Sequence, residues 1–294
     1  MDGVLTINKP AGMTSHDVVL SVRRILKEKK IGHTGTLDPM ATGVLVLCIG
    51  KATRIARYLE AGEKEYSAVM RLGVTTDTLD AEGRILETVS YASPAPSDIL
   101  RIMQGFTGVI MQRPPVFSAL KVNGVPSYKL AREGKAEPLQ ERSVTISRLE
   151  LTSYVDPLVS FNVTCSKGTY IRTLSADIGA ALGMGAHLTA LVRTRSGRFS
   201  LDQARNLDVL SDPGHAGAAA QALTPIDAAL GDFPVVQVGE ADAIRIRNGN
   251  RIPSKEQGGI AEGALVRIHD PAHGLLAVAV MTGGNLAPEV VFPG

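Results

Sequence analysis

The chain of 294 residues is 44% hydrophobic with a net charge of +2, enough apolar content for one large domain or for a large and a small one. Its longest strongly apolar runs, Val44 to Ile49 and Leu275 to Met281, span six and seven residues, far short of the roughly 20 that cross a bilayer. The opening MDGVLTINKP has no apolar leader-like stretch, and Cys48 and Cys165 lack C-x-x-C spacing; a cytoplasmic protein without a disulfide framework or structural zinc is expected.

In chain order, TSHDVVLSVRRILKEKK predicts a helix. Thr14 or Ser15 can cap it, Asp17 suits its first turn, and Val18, Val22, Ile25 and Leu26 share one face. Lys27, Lys29 and Lys30 fall where cations meet the negative end of the helix dipole. IGHTGTLDPMATGVLVLCIGKATR follows, a turn rich in Gly, Thr and Pro around Asp38, and then GVLVLCIG as a strand buried on both faces. KEYSAVMRLGV alternates as a strand with Tyr66, Ala68 and Met70 on one side, and SDILRIMQGFTG predicts a helix ending near Gly105. QRPPVFSALKVNGVPSYKLAREG predicts an exposed structured loop with an Asn-Gly turn at Asn123 and a short helix over Tyr128 to Arg132.

VTISRLELTSY and VSFNVTCSKGTYIRTL predict strands, the second running into the helix TLSADIGAALG, and AHLTALVRTRSGRF leads to another turn and strand. Strands and helices alternate without a βαβα rhythm, which favours an α+β fold with a mixed, mainly antiparallel sheet. Ser211 to Leu223, rich in Gly and Ala, suggests a loose connector. Beyond GDFP, short strand-like runs separated by glycines suggest a small, mainly β module with a boundary near Asp232.

Several common chemistries are missing from the sequence. Where a phosphate loop would need Gly and Ser or Thr, Leu45 and Ala52 stand, and no H-E-x-x-H or G-x-S-x-G occurs. His269 and His273 in HDPAH suit a turn with two exposed histidines better than a metal site. What remains is Asp38 in its stiff loop, as a turn former or as a nucleophile or base needing a cation to aim it. Arg172, at a strand-to-helix junction, is the natural partner or an ordinary surface arginine. Tyr66 and Tyr170 can stack on a base or simply pack. Residues 110–145 hold six basic and three acidic side chains, and 167–198 hold five basic against Asp177 alone, whereas 233–294 balance five against six. The residues by themselves reach an acid-dependent enzyme for which RNA is one candidate substrate.

Six blocks, in order, are similar to the bacterial tRNA pseudouridine synthases of the TruB type: INKPAGMTSHDVV, KIGHTGTLDPMATGVLVLCIGKATR, KEYSAVMRLGVTTDTLDAEG, QRPPVFSALKVNGVPSYKLAREG, CSKGTYIRTLSADIG and GAHLTALVRTRSG. They cover most of residues 4–198, and the tail resembles, more loosely, the family's small C-terminal RNA-binding module of the PUA kind. The resemblance implies a pseudouridine-synthase fold with a catalytic domain at 1–231, an RNA-binding insert at 110–142 and a PUA-like all-β domain at 232–294. It implies isomerisation of the uridine conventionally numbered 55 in the T-loop of tRNA, by a monomer that needs no cofactor, metal or guide RNA.

In that frame Asp38 matches the catalytic aspartate, Arg172 pairs with it and lowers its pKa, and Tyr66 stacks on the flipped uracil. His33 occupies the disrupted loop, Leu191 packs against the base, and Tyr170 and Lys121 belong to the substrate-binding set. Lys9, in the opening block, is scaffold. A guide-RNA-dependent pseudouridine synthase and a tRNA chaperone without catalysis are the competing readings, and assistance to tRNA folding is compatible with catalysis.

Overall fold

The computed structural model describes residues 1–211, 217–254, 259–270, 272 and 274–292. Among them, a ten-stranded sheet forms the spine of the molecule. Its central run places Gly3–Lys9 beside Thr42–Ile49, then Ala186–Ser196, Lys64–Leu72, Leu158–Cys165, Arg142–Val155 and Gly108–Gln112 at one edge. Neighbours are antiparallel except at two places. Ile7 and Asn8 run parallel to Arg205 and Asn206, and Thr42 and Gly43 run parallel to Val192 and Arg193. The α+β fold with a mixed, mainly antiparallel sheet is therefore what the chain adopts.

Side-chain alternation decides what covers this sheet. Leu5, Ile7, Leu45, Leu47 and Ile49 face the main core, together with Val18, Val19 and Val22 of the helix Ser15–Leu26 and Ile171, Leu174 and Ile178 of the helix Ile171–Ala181. The intervening Val4, Val44, Val46 and Cys48 face the opposite side. There they meet Val278 and Val290 from a second, five-stranded sheet built from 235–291, and Phe292 just after its last strand. The continuous apolar run at 42–49 is thus buried on both faces, as its composition predicts. Each such side chain contributes roughly 1.5–3 kcal/mol by leaving water, so the tail sheet is held over the face it covers.

Local signals explain the ends of elements. Thr14 caps the first helix and exchanges hydrogen bonds with Asp17 in a capping box. That helix stops at Leu26, with Lys27 in the left-handed conformation (φ 52°), so Lys29 and Lys30 lie beyond it and Arg23 and Arg24 occupy the last turn instead. The helix Pro96–Gln104 ends at Gly105, and the hairpin Lys121–Val122/Val125–Pro126 turns through Asn123 and Gly124, both at positive φ.

Three expectations need correction. Residues 240–247, which the sequence pattern placed among strands, form a helix; Ala243 and Ile246 bury one side of it against the tail core. The stretch 211–223 is not simply loose: Ala218–Gln221 is a helix, and Val4 and Thr224 exchange backbone hydrogen bonds that fasten its end to the first strand, while 212–216 lie outside the described residues. His269 is not an exposed turn residue either. It sits on the strand Leu265–Asp270 with Nε2 2.9 Å from Asp227 Oδ1, and Arg267 reaches the same oxygen at 2.8 Å; His273 is outside the described residues. Among those residues, no helix is long and apolar enough to cross a membrane.

Candidate active site

Three separate segments converge on the guanidinium of Arg172, which is only 4% exposed. Its Nε lies 2.8 Å from Asp38 Oδ2, without the alignment of a hydrogen bond, and its Nη2 donates to Asp38 Oδ1 at 3.1 Å. Nη2 also donates to the Phe117 carbonyl at 3.0 Å, and Nη1 donates to the Thr78 carbonyl at 2.9 Å. Asp80 Oδ2 stands 3.4 Å from Nη1. A planar fork of donors suits such a hub, because it meets a carboxylate side-on while its remaining N–H groups reach carbonyls.

The Asp38 loop is pinned from the N-terminal segment. Lys9, fully buried, donates through Nζ to the carbonyls of Pro10, Met13 and Pro39 at 2.9, 2.6 and 3.1 Å. The Gly12 amide donates to Pro39, Ser15 Oγ bridges the backbone N–H and C=O of Leu37, and the Ala41 amide donates to the Asp38 carbonyl. Burial pushes the Lys9 ammonium down to about 8, against the opposing pull of Asp38. At the far end of the loop Gly43 has φ 97°, and a Cβ there would fall 2.3 Å from the Arg193 carbonyl oxygen, so only glycine lets these two strands start side by side.

Asp80 is set by a tight turn between the strands Val74–Thr76 and Ile85–Thr88. Leu79 takes φ 63°, an unusual conformation for a bulky residue, and its carbonyl accepts from Leu188. Thr78 Oγ1 and the Glu82 amide both donate to Asp80 Oδ1, at 2.6 and 3.1 Å. A Cβ on Gly83 would lie 2.2 Å from Thr78 Oγ1, so this turn closes only with glycine at that position.

Asp38 keeps 31% of its side-chain surface exposed, so its carboxylate looks outward from an otherwise crowded site. Burial pushes its pKa above the usual carboxylate value and the Asp80 charge adds to this, while Arg172 pulls it back. Arg172 therefore acts in the expected direction, but the net shift is upward because loss of solvent outweighs the ion pair.

Tyr66 is buried on the strand Lys64–Leu72, level with Arg193 and Val163 on the flanking strands. Burial raises its hydroxyl pKa, and the neighbouring Arg193 guanidinium opposes that rise. Leu191 pairs with Ala68, two residues along, and is likewise buried. His33 closes the strand Ile31–His33, and its Nδ1 accepts from the Gly35 amide at 3.3 Å. Burial and then the Arg193 charge hold it below the usual histidine value, which favours the neutral ring.

The two remaining candidates stand apart from Asp38. Tyr170 precedes the Arg172 helix; its backbone N–H and C=O both bond the Gln112 side chain, at 2.8 and 3.1 Å, and Arg142 lies 5.0 Å over its ring. Lys121 is exposed on the small hairpin of the 113–141 segment. That segment touches the site through its backbone, at Phe117. Sequence reasoning assigned no role to Asp80 or Arg193 and gave Lys9 only a scaffold role. The first two lie inside the matched blocks TTDTLDAEG and LTALVRTRSG, but nothing local marks them as neighbours of Asp38.

The TruB family pseudouridylate synthase N-terminal domain matches residues 23–171, and the tRNA pseudouridylate synthase B C-terminal domain matches 172–231. The chain belongs to the TruB family of pseudouridine synthases. It is 47% identical to the tRNA pseudouridine synthase B of Burkholderia lata over 98% of this chain and 89% of the relative. With the Geobacter sulfurreducens protein of that name it shares 45% over 85% and 82% of the two chains. Among solved structures it is similar to a Cbf5-Nop10-Gar1 complex, with a TM-score of 0.77 and 30% identity over 99% of this chain and 85% of that one. An H/ACA RNP bound to a substrate RNA containing 2′-deoxyuridine gives a TM-score of 0.76 at 29% identity, covering 99% and 85%. The matched family domains end at 231, before the five-stranded tail sheet begins at Val235.

Proposed function

We propose that this protein isomerises the uridine conventionally numbered 55 in the T-loop of tRNA to pseudouridine, with Asp38 as its catalytic carboxylate. The observation that carries this reading is Asp38 itself: an acid in an immobilised loop, gripped by a buried guanidinium and still open on one side. The curated relatives named tRNA pseudouridine synthase B support tRNA as the substrate.

The reaction breaks the C1′–N1 bond and forms a C1′–C5 bond; a proton leaves C5 and one is taken up at N1, so atoms and electrons balance without a co-reactant. A uridine within a folded loop must first be extruded, at roughly a few kcal/mol. Arg172 keeps Asp38 aimed. The Tyr66 ring stacks on the extruded uracil, Leu191 packs beside it, and His33, at the rim, fills space in the opened loop. Tyr170 and Lys121 meet the RNA further out, with the basic side chains of 110–142 against phosphates. In this division 1–231 carry catalysis and 232–294 help to position the RNA.

The test is conversion of an unmodified tRNA transcript by the isolated protein, with no guide RNA added, beside the Asp38→Asn variant. Efficient conversion by the wild type and none by the variant is expected. Comparable yields from both under single-turnover conditions defeat the assignment of Asp38, and dependence on an added guide favours the guide-directed alternative. If the variant still speeds tRNA folding, that assistance is independent of catalysis.

A further inference from the structure

Arg193 is 2% exposed, and among the described residues no carboxylate lies within ion-pair distance of it. Its Nε donates to the Val44 carbonyl at 2.6 Å and its Nη2 to the Gly35 carbonyl at 3.1 Å. It stands level with Tyr66 on the adjacent strand, where its charge opposes the burial-driven rise of the Tyr66 hydroxyl. One side chain thus bonds the loop that carries Asp38 and the strand that follows it, beside the strand that carries Tyr66.

A buried guanidinium without an anionic partner is costly, because the carbonyls replace only part of its hydration. A neutral donor could hold two carbonyls without that cost. The charge also spreads through its surroundings: it is among the causes that hold His33, Lys9 and Lys64 below their usual values. Bonded to both ends of the segment that carries Asp38, it supplies a fixed positive charge and a rigid fork. Such preorganised donors are most effective where water is excluded.

We infer that Arg193 is a positioning residue for the reaction, clamping the Gly35 end of the Asp38 loop to the strand that follows it, beside Tyr66 on the next strand. It makes no contact with the RNA. The inference rests on the proposed isomerisation and names a residue that acts through Asp38 and Tyr66.

The experiment compares the full-length wild type with Arg193→Gln and Arg193→Lys by single-turnover conversion of unmodified tRNA, by tRNA affinity, and by NMR titration of the His33 ring. His33 also faces Glu60, which favours its charged form, and His16, which disfavours it; both are unchanged in either variant. For Arg193→Gln the rate at saturating tRNA is expected to fall by about a hundredfold, the size of losing one preorganised donor. Its tRNA affinity should stay near wild type, and His33 should titrate at higher pH. Arg193→Lys retains the charge but cannot span both carbonyls, so its rate should fall while the His33 titration stays depressed.

A wild-type rate in either variant overturns the inference, as does a loss of activity that is wholly weaker tRNA binding, or an unmoved His33 titration in Arg193→Gln. If the Gln variant does not fold, the Lys variant decides on rate and affinity alone. A wild-type protein that fails to convert tRNA sinks the proposed function instead, so the two failures are distinguishable.

Discussion

Around Arg172 the charged groups are buried or half-buried and fixed by one another and by backbone groups, whereas along 113–141 they are exposed and their ion pairs lie at the surface. Arg172 meets two carboxylates and two carbonyls from three segments. Arg113 meets Glu141 at 3.0 Å and Lys135 meets Glu133 at 3.0 Å, with each side chain about half exposed or more. Buried charges have no water to fall back on, so geometry must satisfy them and any vacancy is costly. Exposed charges are already solvated and remain available to a phosphate backbone. The contrast teaches that one region is built for aim and the other for attraction.

The largest expected effect is at Asp38. Asp38→Asn should lower single-turnover conversion by at least about a thousandfold, the range seen when a nucleophile is removed, with little change in tRNA affinity. Next is the hub. Arg172→Met removes the cation that faces the buried Asp80 carboxylate and the donor to two carbonyls, and denaturant unfolding should show a loss of roughly 3–5 kcal/mol. A variant as stable as the wild type would mean that Asp80 finds another partner and that the convergence on Arg172 is not structural.

The pH dependence sharpens the same comparison. Burial raises the Asp38 pKa and Arg172 restrains it. With Asp38 as the proposed catalytic carboxylate, acting in its ionised form, the rate should be lost on acidification at a pH above the ordinary aspartate value of about 3.9. Arg172→Gln removes the restraining charge and should move that acid limb further up; a limb that moves down in rate–pH profiles would contradict the balance described here.

The smallest effects belong to the insert. Replacing Arg113 or Lys121 by Ala should change stability by no more than about 0.5 kcal/mol. Each replacement should weaken tRNA binding and reduce its salt dependence by about one unit of slope for a lost phosphate contact. A steep fall of wild-type binding with salt is expected; a flat response would place the RNA surface elsewhere.

Much of the fold was legible because its signals are local. The Thr14–Asp17 capping box is four residues long, the Asn123–Gly124 turn is two, and the alternation of Lys64–Leu72 is written in successive side chains. The helix at 240–247 escaped because its apolar face is only Ala243 and Ile246, too little for a helical period to stand out. Asp38 was legible as a loop acid, and the matched blocks pointed to Arg172. Asp80 and Arg193 were not, since a turn acid and a strand arginine look ordinary until the chain closes around them.

By itself, then, the sequence determined most of the strands and helices, where the Asp38 turn lies, and that residues 44–49 must be covered on both faces. Tertiary structure alone decided which sheet supplies that second cover, that Asp80 shares Arg172 with Asp38, and that burial outweighs the pairing with Arg172 in the ionisation of Asp38. The reason is range. Capping, turns and alternation depend on neighbours within a few residues, while desolvation and ion pairing depend on what the folded chain brings within a few ångströms.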